Sequence, residues 1–407
     1  MMKILFVSNL FPPNQIGGYE VLCARVAGLM ARLGHEVHIL TSCYGGRLPV
    51  SDEMPVSQGL RLLCGDTIYQ AFAKGDLRRQ VISDDNAIVT QEMVERLRPD
   101  VVFAWNLYGL HREYFHVIER LGVPVVCMLT DNWLAEMMAR DFIGTYFQRQ
   151  VYGDRPRGGL VPVEPVHKLK VSAIFGARSM QDLYTAAGLG FRDATVIHNG
   201  VDLTTSLARE RKPRRECGDN PIRLLFAGRL VRLKGVHTAI EALAELDRRS
   251  VSGQRSFVLN IVGDTTDEAY LAQLTSLIAK LGLAERVVFL PPVAEAELPD
   301  LFDRHDVYVF PSLYEPFSLT LIHAMASGIP TVASAVGGNV EIVEDKETGL
   351  LFAPGDASDL AAKITLLADD GELRERISRA GRDVAAQFTV ARMVGQMEDY
   401  LIRQSQG

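Results

Sequence analysis

Short apolar runs alternate with longer amphipathic stretches along nearly the whole chain, and this order limits the folds that it can adopt. Runs rich in Val, Ile, Leu and Phe are typical of buried strands, and the stretches between them carry apolar residues at helical spacing. Strands that alternate with helices predict β–α–β units around mostly parallel sheets, which is an α/β fold. The predicted strands are 3–10, 36–42, 101–106, 124–130, 171–175 and 195–198, then 222–227, 257–263, 287–290, 307–311, 331–334 and 349–352. The predicted helices include 18–33, 88–97, 238–248, 268–281, 297–303, 319–327 and 358–368.

The alternation is interrupted by a polar stretch at 204–221, which separates two halves of the chain. A chain of 407 residues is longer than one hydrophobic core usually supports. We therefore predict two doubly wound, Rossmann-like domains, 1–205 and 206–390, that face each other across a cleft. Ligands in such sheets bind beyond the carboxyl ends of the strands, so chemistry is expected at that edge. Segment 138–170 fits the alternation poorly and is interpreted as an insertion or lid.

Composition and charge argue against several classes of protein. The net charge is −7 without a basic excess, which predicts no nucleic-acid partner. The five cysteines are scattered without a C-x-x-C pair, which argues against a zinc site and a disulfide framework and favours a cytoplasmic location. No apolar run reaches the ~18 residues that a membrane-spanning helix needs. The apolar start is too short for a signal peptide and is interpreted as a first strand.

Two glycines follow the first predicted strand. The loop contains Gly17 and Gly18 but no G-x-G-x-x-G, so it does not match the dinucleotide-binding pattern. Glycines at the start of a helix let backbone amides approach an anion or a sugar hydroxyl. A simple tight turn explains the pair equally well, and both interpretations stay open at this point.

Two cationic side chains follow the first strand of the second half. Arg229 comes directly after that strand, and Lys234 lies five residues further on. Arg supplies a planar fork of donors and Lys a point charge, and together they suit a diphosphate. An isolated pair with this spacing is most often a pair of surface residues, so the motif is weak by itself.

The segment 311–330 combines a strand end, a short loop and a helix start. Glu315 lies in the loop, where its carboxylate can accept hydrogen bonds from sugar hydroxyls. The amides of Ser318, Leu319 and Thr320 are expected at the positive end of the helix, and His323 about one turn into it. Taken alone, a Glu before a helix is most often a cap and a helical His most often a packed or surface residue.

Taken together and in this order, the motifs resemble the retaining glycosyltransferases of the GT-B fold, family 4, also called glycosyl transferases group 1. The resemblance covers nearly the whole chain, and no single motif in it is specific. The motifs are the Gly17-Gly18 loop, Asn199-Gly200-Val201-Asp202, Gly228-Arg229 with Lys234-Gly235, Pro311-Ser312 with Glu315-Pro316-Phe317, Ala324-Met325-Ala326-Ser327-Gly328 with Pro330, Gly337-Gly338 with Glu341, and Thr348-Gly349-Leu350-Leu351.

The resemblance implies roles for these residues. Arg229 and Lys234 are expected to hold the donor diphosphate, the amides of Leu319 and Thr320 its distal phosphate, and Glu315 the transferred sugar. It also implies a reaction without a metal ion or other cofactor, and a C-terminal helix, 391–407, that crosses back onto the first domain. The expected donor-binding residues are Gly17, Gly18, Arg229, Lys234, Glu315, Phe317, Ser318, Leu319, Thr320 and His323.

Three positions depart from the family pattern. The second Glu of the E-x7-E motif is His323, and the usual Gly after E-P-F is Ser318. An imidazole offers at most one acceptor where a carboxylate can accept from two ribose hydroxyls. His323 is therefore expected to hold the ribose less tightly, to leave it unbound, or to turn toward a phosphate when protonated. The His usual in the first domain is replaced by Thr130, and the following Asp131 is expected to take its place as a polar partner of the acceptor or sugar.

The predicted function is transfer of a hexose from a UDP- or GDP-linked sugar to an acceptor hydroxyl with retention. Glu315, Arg229, Lys234 and Asp131 form the expected catalytic set, and polysaccharide, glycolipid or glycoconjugate biosynthesis is the expected context. The acceptor is expected to be a sugar, a lipid-linked sugar or a small molecule, while peripheral membrane contact and oligomeric state stay open. One alternative is a catalytically silent relative that binds a sugar or a protein, which only the three departures support. Another is a nucleotide-sugar epimerase, for which the His and carboxylate residues give no obvious acid–base set.

Overall fold

The structure, a computed structural model, describes residues 1–46, 48, 54–64, 76–151, 167–210, 221–249, 255–264 and 267–406. The chain divides into two compact units with a boundary between His198 and Asn199, and the stretch from Val390 onward belongs to the first unit. The boundaries expected from the sequence, 205/206 and 390/391, lie a few residues further along. None of the described helices combines the length and the apolar character that crossing a membrane requires.

A parallel sheet of seven strands, in the order β3-β2-β1-β4-β5-β7-β9, forms the centre of the first unit, and β6 pairs with β8. The strands are β1 Lys3–Val7, β2 Glu36–Ser42, β3 Val56–Leu60, β4 Val101–Ala104, β5 Val125–Leu129, β6 His167–Lys168, β7 Ser172–Phe175, β8 Leu189–Gly190 and β9 Ala194–Val196. The helices are α1 Gly18–Arg32, α2 Asp76–Leu97, α3 Arg112–Ile118, α4 Trp133–Met138, α5 Arg140–Val151 and α6 Arg178–Ala186, with α15 Val390–Ser405 at the end of the chain.

The winding of this sheet reverses between β1 and β4. The chain passes from β1 to β2 and β3 on one side and then places β4 on the other side of β1, with both neighbours parallel to it. Helix α15 packs against α1, and the two helices share one apolar core with β1. His35 contacts this last helix as well, because its Nε2 atom lies 2.9 Å from Oε1 of Glu398.

A parallel sheet of six strands, in the order β12-β11-β10-β13-β14-β15, forms the second unit. Its strands are β10 Ile222–Ala227, β11 Phe257–Val262, β12 Val287–Leu290, β13 Val307–Phe310, β14 Thr331–Ser334 and β15 Leu350–Phe352. Its helices are α7 Thr204–Ala208, α8 Val236–Arg249, α9 Glu268–Leu281, α10 Leu298–Asp303, α11 Leu319–Ala326, α12 Asn339–Ile342, α13 Ala357–Asp369 and α14 Gly371–Ala385, with 3-10 helices at Arg232–Lys234 and Glu295–Glu297. Here the winding reverses between β10 and β13.

The structure confirms the α/β class and two doubly wound, parallel units, and each of the twelve predicted strands overlaps an observed one. The sequence-based prediction missed β3 and the two-residue strands β6 and β8. It also began α2 at residue 88, whereas the helix starts at Asp76. In the segment interpreted as an insertion or lid, α4 and α5 continue to Val151, and residues 152–166 lie outside the described part of the chain.

Candidate active site

Two loops at the carboxyl edge of the second sheet meet at its reversal point. The loop after β10 ends in the 3-10 helix Arg232–Lys234, and the loop after β13 runs from Pro311 to Ser318. The amide of Leu313 donates to the carbonyl of Leu233 at 2.7 Å, so the loops are joined directly. Because ligands of doubly wound sheets bind at such a reversal point, this is the expected place for chemistry in the unit.

Glycines allow the close approach of these loops. Gly235 has φ +64°, and a β-carbon placed there would lie 2.0 Å from the carbonyl oxygen of Pro311. Gly337 has φ +45°, and a β-carbon there would lie 2.0 Å from the carbonyl oxygen of Glu315. Both positions combine left-handed backbone with direct contact to another backbone, so only glycine fits without rearrangement.

The two loops bring Lys234 and Glu315 into a buried ion pair. Nζ of Lys234 lies 2.5 Å from Oε2 of Glu315, and the two side chains are only 18% and 6% exposed. The hydroxyl of Ser312 donates to the same carboxylate oxygen at 3.3 Å. The Lys234 ammonium also lies 5.5 Å from the centre of the Phe310 ring, a cation–π contact. Burial raises the pKa of the nearby Tyr308 phenol well above its usual range, and the negative charge of Glu315 adds to the effect.

Helix α11 begins beside this ion pair. Ser318 is its N-cap, and the hydroxyl oxygen accepts from the amide of Leu321 at 3.1 Å. Leu319 and Thr320 are the first two helical residues, so their amides have no acceptor within the helix. Both residues are partly exposed. The helix start therefore offers two donors and the positive end of the helix dipole, a combination that suits an anion. The serine in place of the usual glycine caps the helix.

Arg229 and Phe317, two other predicted residues of the second unit, have different environments. The Arg229 side chain is exposed, and within the described part of the chain it has no hydrogen bond or ion pair. The structure thus does not bring it into contact with Lys234 or Glu315. The ring of Phe317 is buried and lies 5.6 Å from that of Phe388, so its side chain belongs to the core.

His323 is buried in α11, where it contacts an acidic side chain. Its Nε2 atom lies 3.3 Å from Oε1 of Glu295, and the exposed fractions of the two side chains are 7% and 42%. The group that reaches solvent is therefore the Glu295 carboxylate, and the imidazole lies behind it. Sequence reasoning missed Glu295, although its place just beyond the carboxyl end of β12 was a usable signal.

In the first unit, Gly17 caps α1 and its amide already has a partner. Oε2 of the buried Glu20 accepts from the amides of Gly17 at 3.0 Å and Ile16 at 3.3 Å. A carboxylate at this helix start disfavours a second anion there. A β-carbon on Gly17 would meet nothing within 4 Å, so the space beside it is open. Gly18 is exposed. A donor-binding role of both glycines stays a prediction.

Asp131 follows β5 in the first unit and takes part in a local network of aromatic side chains. Its Oδ1 atom accepts from the amide of Trp133 at 3.0 Å, and its carbonyl accepts from the Tyr184 hydroxyl at 3.1 Å. Burial and, second, the charge of Asp131 raise the pKa values of Tyr19 and Tyr184. Thr130 beside it is partly exposed.

Over the described ranges, no group of three or more His, Cys, Asp or Glu side chains could hold a metal ion.

Comparisons with known proteins relate both units to one group of enzymes. Residues 16–205 match the family described as Glycosyltransferase Family 4, and residues 209–384 match Glycosyl transferases group 1. A glycogen synthase of Mycobacterium tuberculosis is 31% identical over 394 residues, which cover 94% of this chain and 89% of that protein. A D-inositol 3-phosphate glycosyltransferase of Corynebacterium diphtheriae is 26% identical, with 98% and 93% covered.

Solved structures share the same fold at lower identity. The sucrose-phosphate synthase of Thermosynechococcus elongatus superposes with a TM-score of 0.73 at 19% identity and covers 99% of both chains. Anabaena HepE, in complex with UDP and glucose, superposes with a TM-score of 0.68 at 22% identity and covers 98% of this chain and 99% of its own. At these identities the likeness concerns the fold.

Proposed function

This chain belongs to the family 4 glycosyltransferases of the GT-B fold, and we propose that it moves a hexose from a nucleoside-diphosphate sugar to an acceptor hydroxyl, with retention at the anomeric carbon. The observation that carries the proposal is the buried Lys234–Glu315 pair next to the free start of α11. One place thus combines a cation and two amide donors, which suit a diphosphate, with a carboxylate, which suits sugar hydroxyls. We infer that the UDP bound by HepE has a counterpart here, with UDP or GDP as carrier.

The diphosphate is assigned to the cationic side of this place. Lys234 and the amides of Leu319 and Thr320 would contact phosphate oxygens, and the exposed Arg229, from the same loop as Lys234, would close on them. Once these groups surround the bound donor, they would stabilise the negative charge that grows on the leaving diphosphate. On this proposal they replace a divalent cation, and no further cofactor takes part.

The sugar is assigned to Glu315, next to the groups that are proposed to hold the diphosphate. The bond between the anomeric carbon and the diphosphate oxygen breaks while the acceptor oxygen bonds to the same face of that carbon. The acceptor's proton passes to an oxygen of the leaving diphosphate, so no protein base is required. Asp131 in the first unit is proposed as a polar partner of the acceptor. Synthesis of a polysaccharide, glycolipid or glycoconjugate would use such a reaction.

The nucleoside is assigned to the region around His323, one turn beyond the start of α11. His323 is one turn, or about 5 Å, beyond the first amides, a distance that a ribose can span from its phosphate. Because the imidazole is buried and Glu295 is the more exposed partner, we propose that Glu295 accepts from the ribose and that His323 positions it. This assignment replaces direct contact of His323 with the ribose.

A thermal-shift panel with UDP, GDP, ADP and their sugars tests the donor assignment. A ligand at about 100 times its Kd adds about 2.7 kcal/mol to the unfolding free energy, so a true donor gives a clear shift. The Arg229→Ala, Lys234→Ala double variant should lose it. Lys280→Ala is the matched control, because this exposed lysine ends α9 at the opposite edge of the sheet. A flat panel, or a double variant with an intact shift, would contradict the donor site.

A further inference from the structure

The first sheet has its own reversal point, between β1 and β4. In the second sheet the equivalent place, between β10 and β13, holds the Lys234–Glu315 pair. The rule that places a ligand at such a point applies to each doubly wound sheet separately. A second ligand-binding place is therefore expected where the carboxyl ends of β1 and β4 meet.

An exposed aromatic side chain occupies this place. Tyr108 follows β4 and is 40% exposed. Within the described part of the chain, it is the one Phe, Trp or Tyr among the large apolar residues that are exposed. A single exposed apolar residue is common and needs no explanation by itself. The position of Tyr108 and the rigidity of its loop distinguish it from the others.

Hydrogen bonds from the turn after β1 hold the loop of Tyr108. The buried Asn9 donates its side-chain amide to the carbonyl of Tyr108 at 3.0 Å and its backbone amide to the carbonyl of Asn106 at 2.6 Å. The amide of Tyr108 donates to Oδ1 of Asn106 at 2.9 Å. The flanking Leu107 is fully buried. The backbone is thus held by hydrogen bonds and packing around an exposed side chain.

The same loop contains a strained residue. His111 has φ 75° and ψ 154°, a region that residues other than glycine seldom adopt. Its neighbours Leu110 and Tyr114 are buried, so packing holds the backbone in this conformation. Strain that the surrounding structure maintains concentrates at ligand-binding sites.

We propose that the ring of Tyr108 is the platform on which the acceptor lies, and that the acceptor presents a polyhydroxylated six-membered ring there. The apolar C–H face of such a ring packs on an aromatic face, and its hydroxyls stay available for polar groups and water. Asn106 beside Tyr108 and the open space at Gly17 lie at the same edge of the sheet. The identification of this ring as the acceptor rests on the proposed transferase function.

Saturation-transfer NMR on the full chain tests the proposal with four probes: the methyl α-glycosides of glucose, mannose and galactose, and myo-inositol, each with and without UDP. We expect saturation of the ring C–H protons of one or more probes. Tyr108→Ala should weaken that binding about tenfold, and Tyr108→Phe should retain it, because the ring face is kept. Leu33→Ala removes an exposed apolar side chain from the opposite edge of the same sheet and should change nothing.

The outcomes separate this proposal from the donor site. Loss of sugar binding in Tyr108→Ala, with the nucleotide-induced thermal shift kept, supports the platform. Equal sugar binding in Tyr108→Ala and the wild type overturns it, and so does a wild type that binds none of the probes. A flat nucleotide panel together with Tyr108-dependent sugar binding would instead contradict the proposed transferase and leave a sugar-binding surface.

Discussion

Replacing Glu315 by Gln should tighten the binding of a nucleoside diphosphate, because it releases Lys234 from its present partner. The Lys234 ammonium lies 2.5 Å from the carboxylate, and both side chains are largely buried. To contact a phosphate, the ammonium must weaken this bond. Gln keeps the size of the side chain and an oxygen that accepts from Ser312, but it removes the negative charge.

The expected gain follows from the strength of the bond. A hydrogen bond to a charged group contributes about 1.5–3 kcal/mol, and roughly half of this depends on the charge. Removal of the charge should therefore free about 0.8–1.5 kcal/mol, which corresponds to a Kd that is roughly three- to twelvefold lower. Turnover should move in the opposite direction, because Gln binds sugar hydroxyls less strongly than a carboxylate does.

Isothermal titration with UDP, or with the diphosphate that gives the largest thermal shift, measures the change. Lys234→Met should weaken binding, and adding Glu315→Gln to that variant should gain less than it does alone, since no ammonium remains to be released. Each variant must first be shown to fold, because an unpaired buried charge costs about 3–5 kcal/mol. Weaker UDP binding in Glu315→Gln, or unchanged binding in Lys234→Met, would refute the assignment of Lys234 to the diphosphate.

Three further predictions concern stability. Gly235→Ala should lower the unfolding free energy, measured by urea denaturation, by about 3 kcal/mol or more, because the new β-carbon meets the Pro311 carbonyl. Gly282→Ala, where φ is +68° but nothing lies within 4 Å of the β-carbon, should cost only about 1 kcal/mol. Equal costs in the two variants would contradict this explanation. Ser318→Ala should cost about 1 kcal/mol through loss of the cap, and Ser318→Gly only a few tenths, so an equal loss in the two variants would argue against capping. Burial lowers the pKa of His237 from 6.5 to about 4. As the pH falls, the unfolded chain therefore binds the proton before the folded chain does. About 2 kcal/mol of the unfolding free energy present above pH 6.5 should thus be lost by pH 4, after a discount for solvent screening. Urea titrations across that range should show a flatter profile for His237→Gln, and an unchanged profile would count against this source.

The strands could be predicted from sequence wherever both faces of the sheet are covered. The runs at β4 and β5 are continuously apolar, because parallel strands buried on both sides need no polar face. Strand β3, Val56–Leu60, was missed because it lies at the sheet edge and contains Ser, Gln and Gly. The prediction began α2 too late for a related reason. The first half of this helix is rich in charged residues, so its apolar periodicity is weak.

The contacts of the site were less accessible, because they join distant parts of the chain. Lys234 and Glu315 meet only because β10 and β13 are neighbours, which no local pattern reveals. The same holds for His323, whose partner Glu295 lies in the loop after another strand. Gly17 is different, because a Glu three residues after an N-cap is a local capping signal. The hydrogen bond from the Gly17 amide to Glu20 was therefore predictable from the sequence.

A crystal structure with bound UDP tests whether the diphosphate lies at the start of α11. We expect phosphate oxygens within hydrogen-bonding distance of Lys234 Nζ and of the Leu319 and Thr320 amides, and a longer Lys234–Glu315 contact. UDP bound away from α11, with Lys234 still paired to Glu315, would contradict it.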